Sequence, residues 1–139
     1  MFSILLMLSL AVHADPSDTV QPSREVHSEA SEEIRRAAAE QRLAETPDVA
    51  VVYVRGLCCL SCAIGIRTKV KKLDFVDRQR LEQGVELDVR TQLVTVAIQP
   101  DQPIVPSALA VAIERAGYEP ERLYQLQDGV FVEEPLVLE

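Results

Sequence analysis

The chain has no tryptophan, and its 139 residues include only three cysteines and two histidines. Few histidines leave little material for catalysis by a Ser–His or Cys–His pair, because such a pair needs an imidazole held against the nucleophile. His13 lies in an apolar N-terminal stretch and His27 in a polar segment. We therefore expect no catalytic centre and predict that the protein is not an enzyme.

Basic residues are also scarce, with 14 Lys and Arg against 22 Asp and Glu, a net charge of −8. The excess of acidic over basic residues lies at the two ends of the chain. Residues 15–48 hold nine acidic and four basic side chains, residues 49–127 hold nine and ten, and residues 128–139 hold four and none. Without a dominant basic surface, nucleic-acid binding is disfavoured.

Residues 1–14 contain no charged side chain and include the apolar run 2–12. Val12 and Ala14 supply the small residues that signal peptidases require, so the sequence predicts a signal peptide cleaved before Asp15. The alternative, an uncleaved membrane anchor, is disfavoured because a span needs about 20 apolar residues. We expect a periplasmic or secreted protein.

The acidic flanks differ in composition from the central part. Residues 15–27 contain two prolines and few apolar residues, which predicts a disordered linker. Residues 28–45 are rich in Ala, Glu and Arg and should form a helix. Leu43 falls half a turn from Ile34, so we predict a solvated spacer rather than a dimerisation helix. Residues 128–139 are predicted to be an acidic C-terminal tail, in which residues 130–132 and 136–138 could add an edge strand.

Residues 49–127 show the alternation of helix and strand patterns expected of an α+β domain. β-branched and alternating apolar residues predict strands, and apolar residues at helical spacing predict two helices. Pro106 suits a first helical position, and Gly117 suits the left-handed position after a helix. The order is β-α-β-β-α-β, the ferredoxin-like arrangement. The predicted elements are a strand over 49–54, a helix over 62–72, strands over 85–89 and 94–98, a helix over 106–117 and a strand over 123–127.

All three cysteines lie in Gly-Leu-Cys-Cys-Leu-Ser-Cys, residues 56–62, between the first strand and the first helix of this domain. The orphan N–H groups and the positive end of the helix dipole should favour the thiolate form of Cys62. The spacing from Cys59 to Cys62 lets both sulfurs converge on one ion or on each other. Metal binding and redox chemistry are therefore both open.

The surroundings of the cysteines favour metal binding. A structural zinc site needs four ligands, whereas the chain offers three cysteines and His27, which is distant in sequence. A thioredoxin-like enzyme is expected to carry a tryptophan just before the motif, and there is none. Two thiolates suit a soft ion of low coordination number, Cu(I) first. A thiol–disulfide redox or redox-sensing module remains the alternative.

The cysteine loop resembles the Gly-Met-Thr-Cys-x-x-Cys loop of the heavy-metal-associated domain family. Ile66, Val70 and Leu73 resemble the buried face of that family's first helix, and residues 112–118, Ala-Ile-Glu-Arg-Ala-Gly-Tyr, resemble its closing motif. The resemblance covers roughly 49–127. The family includes copper chaperones, the periplasmic mercuric-ion-binding protein and modules of metal-pumping ATPases.

The resemblance implies which residues bind the metal. The two family cysteines correspond to Cys59 and Cys62, and the metal would be Cu(I), or Hg(II) or another thiophilic ion. Tyr118 would lie on the loop facing the site, as a supporting residue rather than a ligand. The partners implied are a metal-transporting membrane protein or another metallochaperone.

Three features depart from the family pattern. Leu57 replaces Met, which is tolerable if this residue fills the core beneath the loop. Cys58 replaces Thr, and its thiol is a candidate third ligand, a disulfide partner for another molecule, or a small buried hydrophobe. Residues 74–84 make a longer connection than usual, either an extension of the helix or an extra loop.

The predicted function is therefore extracytoplasmic binding of a soft heavy-metal ion and its transfer by thiolate exchange. The first helix carries Arg67, Lys69, Lys71 and Lys72, which form a solvated face or meet an acidic partner. A further alternative is an accessory domain that binds another envelope protein through its acidic flanks.

Overall fold

The structure, a computed structural model, describes residues 27–136, except for the side chain of Cys62. The predicted signal peptide, its cleavage site and nearly all of the predicted linker lie outside the described residues. Within 27–136 the chain forms three helices and five strands. In order they are α1 (Glu32–Glu45), β1 (Val49–Arg55), α2 (Leu60–Val70), β2 (Val85–Asp88), β3 (Leu93–Ala97), α3 (Pro106–Arg115), β4 (Glu119–Gln127) and β5 (Val130–Pro135).

The five strands form one antiparallel sheet in the order β2-β3-β1-β4-β5. The central strand β1 is buried along six of its seven residues. Because successive side chains of a strand point to opposite faces, burial of the whole strand requires cover on both faces of the sheet. The predicted α+β, ferredoxin-like β-α-β-β-α-β arrangement is confirmed.

Helices α2 and α3 cover one face of the sheet. Ala50, Val52 and Val54 of β1 pack in a core with Ile66 of α2 and Ile113 of α3. The predicted buried face of the first helix is present, with Ile66 and Val70 fully buried and Leu73 packed against the same core. Pro106 begins α3, and Gly117 has a φ of +93°, both as the sequence predicts.

Helix α1 covers the opposite face, which the sequence analysis did not foresee. Ala39 and Leu43, one helical turn apart, pack against Tyr53 of β1 and Tyr124 of β4 in a second core. The helix is therefore not a solvated spacer. The apolar stripe of α1 is short, because Ile34 is 57% exposed. The Arg35 guanidinium stacks 3.6 Å from the centre of the Tyr53 ring and extends the surface of the sheet that α1 covers.

The long connection over residues 74–84 is a loop and not an extension of α2. Phe75 and Val76 are buried in the main core, and Val76 forms an isolated bridge with Ile98. Gly84 has a φ of +90°, and a Cβ there would lie 2.4 Å from Cγ1 of Val76. The loop therefore needs glycine at this position to close against the core.

The C-terminal segment is largely sheet rather than an acidic tail. β5 pairs with β4 in an antiparallel register that runs from the pair Gln127 and Val130 to the pair Arg122 and Pro135. The edge strand that the sequence suggested over 130–132 therefore exists and is longer. Its acidic residues have partners: Glu133 accepts a 2.8 Å hydrogen bond from Arg122. Within residues 27–136, no helix has both the length and the apolarity to cross a membrane.

Candidate metal centre

The cysteine loop joins the end of β1 to the start of α2. Gly56 turns the chain with a φ of +84°, and the side chain of Leu57 is fully buried in the main core beneath the loop. Cys58 and Cys59 follow, both half-buried. The substitution of Leu for the family's Met is thus accommodated as the sequence predicts.

Cys59 is the N-cap residue of α2, with extended backbone angles of −151° and 157°. Leu60 begins the helix, so the backbone of Cys62 belongs to its first turn. No side chain caps this helix start, and its first turn contains no acidic residue. The orphan N–H groups and the positive end of the dipole therefore face the cysteine loop without a competing carboxylate on the helix.

Two other side chains border the loop. The hydroxyl of Ser61 lies 3.1 Å from Sγ of Cys59. Tyr118 is half-buried, and its Cδ1 atom lies 3.8 Å from the position that a Cβ would take at Gly56. Tyr118 therefore stands beside the loop, where the family resemblance locates it.

Two of the four basic residues predicted on α2 are engaged by the 74–84 loop. Arg67 pairs with Glu82 at 2.5 Å and donates to the carbonyl of Val85, while Lys71 donates to Gln83 at 2.7 Å. Lys69 and Lys72 are exposed. They border a groove of about 480 Å³ between α2 and α3. None of the residues that line this groove belongs to the cysteine loop.

The residues just before α1 run across the cysteine loop, and the sequence analysis missed this contact. The backbone N–H of His27 donates to the carbonyl of Cys58 at 3.3 Å. The carboxylate of Glu29 accepts from the N–H of Gly56 at 3.1 Å and from the hydroxyl of Tyr53 at 2.5 Å. His27 is therefore distant in sequence only. A lone Glu in a polar segment gave no signal of this long-range contact.

The charges around Glu29 favour its ionised form. Partial burial raises the pKa of this carboxyl, but the Tyr53 hydroxyl, the Gly56 N–H and the guanidinium groups of Arg35 and Arg55 together bring its pKa below the usual value. Burial and the bond to Glu29 raise the pKa of Tyr53, so its hydroxyl stays a donor.

The residues named from the sequence as ligands and support lie around one loop. Cys58 and Cys59 are consecutive, and the backbone of Cys62 lies in the first turn of α2 that follows them. Tyr118 flanks the loop beside Gly56. Among the described side chains, which exclude that of Cys62, no three His, Cys, Asp or Glu groups converge to hold a metal ion. The ligand assignment therefore stays a prediction.

A sheet with two helices on one face, and a cysteine loop at the N-terminus of one of them, defines a small α+β domain of the ferredoxin-like class. Residues 51–119, about half of the chain, match the model of the heavy-metal-associated domain. The chain belongs to the heavy-metal-associated domain family. Comparisons with curated proteins and with solved structures find no match. The family binds and transfers heavy-metal ions, and its domains are generally carriers rather than enzymes.

Proposed function

We propose that this protein is an extracytoplasmic carrier that binds one Cu(I) ion between Cys59 and Cys62 and passes it to another thiol-bearing protein. The observation that carries the proposal is the position of these two cysteines, at the N-cap and in the first turn of α2, inside a segment that matches the heavy-metal-associated domain. Hg(II) is the second candidate ion, because both are thiophilic.

The chemistry of the loop supports a soft ion. Thiolates select Cu(I) over hard cations such as Mg²⁺ and Ca²⁺, and the uncapped start of α2 stabilises negative charge on sulfur. Calcium would require six to eight oxygen ligands, and the loop from Gly56 to Cys62 contains no carboxylate.

Transfer follows from low coordination. With two or three thiolates on the ion, an incoming thiolate can still add before an outgoing one leaves, so the metal is not released into water during transfer. Cys58 and Cys59 are half-buried rather than enclosed, which allows such an approach. A metal-transporting membrane protein or a second metallochaperone would supply the incoming thiolate.

The proposed site is tested by competition for Cu(I) against a strong chelator. The reduced protein should bind one Cu(I) per chain, and Cys59→Ser and Cys62→Ser should each abolish high-affinity binding. Leu60→Ala is the matched control, because Leu60 lies between the two cysteines, is 72% exposed and carries no ligand atom. Unchanged affinity in both cysteine variants would contradict the assignment.

Cys58 is proposed as a third ligand. It is half-buried and belongs to neither core cluster, so the alternative of a small buried hydrophobe has the least support. X-ray absorption of the Cu(I) form should give about three sulfur neighbours in the wild type and about two in Cys58→Thr. Two sulfur neighbours and equal affinities in both proteins would make Cys58 a bystander.

A separate measurement distinguishes the redox alternative, because the reduced cysteines of a thiol–disulfide module would also offer two thiolates to Cu(I). Such a module would exchange electrons with a dithiol or disulfide substrate by cycling Cys59 and Cys62 through a disulfide of defined potential. The carrier proposal expects tight metal binding by the reduced form and loss of that binding on oxidation, because both ligands must be thiolates.

A further inference from the structure

The N-terminal strap, defined as residues 27–30, lies against the cysteine loop and is bonded to it at two points. The carboxylate of Glu29 accepts a 3.1 Å hydrogen bond from the N–H of Gly56. The backbone N–H of His27 donates to the carbonyl of Cys58 at 3.3 Å. Both atoms of the loop belong to its backbone, so the strap holds the path of the loop itself and not one of its side chains.

The strap is also fixed to the sheet. The side chain of Gln92, which is 1% exposed, accepts a hydrogen bond from the N–H of Ala30 at 2.7 Å and donates to the carbonyl of Ser28 at 3.3 Å. The carboxylate of Glu29 accepts a second bond, at 2.5 Å, from the hydroxyl of Tyr53 in β1. A buried amide whose polar atoms are satisfied in this way gives the strap one defined position.

The held part of the loop leads directly to a proposed metal ligand. The two strap bonds bracket Leu57, whose side chain is fully buried, and Cys59 follows at the N-cap of α2. An ion bound by Cys59 and Cys62 needs both sulfurs within bonding distance at once. A loop that already follows one path loses less conformational freedom when the ion binds, and such preorganisation raises affinity.

We propose that Glu29 is a positioning residue for the metal site, which holds the cysteine loop in the path that presents Cys59 to the ion and so raises the affinity for Cu(I). This role rests on the proposed binding of that ion by Cys59 and Cys62. The strap precedes residues 51–119, the segment that matches the family model. The support of the loop therefore comes from a part of the chain outside the matched domain.

The negative charge of Glu29 acts in the opposite direction to its hydrogen bonds. A Cu(I) ion with two thiolates carries a net negative charge, and a carboxylate close to it is repelled. Removal of the charge alone should therefore strengthen metal binding, whereas removal of the hydrogen bonds should weaken it. The sign of the change in affinity distinguishes the two effects.

The test measures competition for Cu(I) against a strong chelator, with the full chain in its reduced form. Glu29→Ala removes both acceptor oxygens and should weaken Cu(I) binding roughly tenfold, a size that is common for the coupling between two sites. Glu29→Gln keeps one acceptor oxygen and should bind Cu(I) with an affinity between those of the wild type and Glu29→Ala.

Phe75→Leu is the control for a general loss of stability. Phe75 is 4% exposed in the loop over residues 74–84, and its truncation destabilises the fold by leaving a gap in the core. That loop follows the C-terminal end of α2, whose 11 residues separate it from the cysteine loop by about 16 Å. Phe75→Leu should therefore lower the stability of the protein and keep its affinity for Cu(I).

Hydrogen exchange at Ala30 provides a second readout. The N–H of Ala30 bonds to Gln92 and not to the cysteine loop, so it reports on the strap alone. Because coupling between two sites is reciprocal, Cu(I) should slow the exchange of this N–H in the wild type and in Phe75→Leu. In Glu29→Ala, where the carboxylate link is absent, Cu(I) should have little effect on it.

The outcomes separate this role from the proposed function. If Glu29→Ala binds Cu(I) as tightly as the wild type or more tightly, or if Phe75→Leu weakens binding equally, Glu29 does not position the site and the cysteine assignment stands. A wild type that does not bind Cu(I), or that binds it equally without Cys59 and Cys62, would overturn the proposed function and the role of Glu29 together.

Discussion

Leu57 links the core to the cysteine loop, because its fully buried side chain is followed directly by Cys58 and Cys59. The sequence could predict this residue, since a large apolar side chain between Gly56 and the cysteines has to pack somewhere. It could not predict Glu29, whose partners are 24 and 27 residues away in the chain. Contacts of that kind depend on the finished fold.

Leu57→Ala should destabilise the reduced, metal-free protein by about 2–5 kcal/mol, because it removes a buried side chain and leaves a cavity. Leu57→Met, which restores the family residue, should cost less than about 1.5 kcal/mol, because volume is conserved. Denaturant unfolding of both variants checks this. Equal stability of Leu57→Ala and the wild type would contradict the burial of this side chain.

Glu29→Gln should weaken the attachment of residues 27–30 to the cysteine loop in a pH-dependent way. The pKa of Glu29 in the folded protein lies below its ordinary value of 4.5, so its contribution to stability is complete above that value. It is lost as the pH falls through the lower, folded pKa. The difference in unfolding free energy between the wild type and Glu29→Gln should therefore shrink below about pH 4.5.

Amide hydrogen exchange at Gly56 provides the local readout for Glu29→Gln, because the N–H of Gly56 donates to this carboxylate. Its exchange should be faster in Glu29→Gln than in the wild type at neutral pH. Identical exchange rates at neutral pH, or a stability difference that grows as the pH falls, would show that Glu29 does not hold the loop.

Among the elements, those with a clear hydrophobic period were predictable from the sequence. The burial of α1, which depends on the sheet that it packs against, was not. Alternating apolar residues located β2 and β3 to within one residue of their ends. Helix α2 begins two residues earlier than predicted, because Cys59 acts as its N-cap although cysteine is not a typical capping residue. The buried face of α1 was missed because it consists of a small residue and one Leu.

Leu43→Ala should destabilise the protein by about 2–5 kcal/mol, since Leu43 is only 3% exposed beneath α1. Ile34→Ala, on the exposed side of the same helix, should change stability by no more than about 0.5 kcal/mol. Thermal or denaturant unfolding of the two variants decides the matter. Equal, small effects would mean that α1 does not pack on the sheet in solution.

At the scale of the whole molecule, both faces of the sheet are covered, by α2 and α3 on one side and by α1 on the other. The sequence predicted the first layer because its helices carry apolar stripes. For residues 128–139 it predicted an acidic tail that could add a short edge strand, where the longer strand β5 forms. Two acidic residues of that strand have partners: Glu133 pairs with Arg122 and Arg36, and Glu134 accepts a hydrogen bond from the side-chain amide of Gln125.

Cleavage of the predicted signal peptide is a second property of the whole molecule. If the N-terminal apolar segment is a signal peptide, the mature protein should begin at Asp15, and mass spectrometry of protein recovered from outside the cytoplasm would show that terminus. Intact Met1 on protein in the cytoplasm would contradict the proposed location and would weaken the expectation of an oxidising environment.

The metal content of protein purified reduced and anaerobically from its cells tests the central claim most directly. We predict one copper per chain in the wild type and none in the double variant Cys59→Ser, Cys62→Ser. Equal metal content in the two proteins, or a wild type that is free of any thiophilic metal, would contradict the account of this protein as a heavy-metal carrier whose site is built on Cys59 and Cys62.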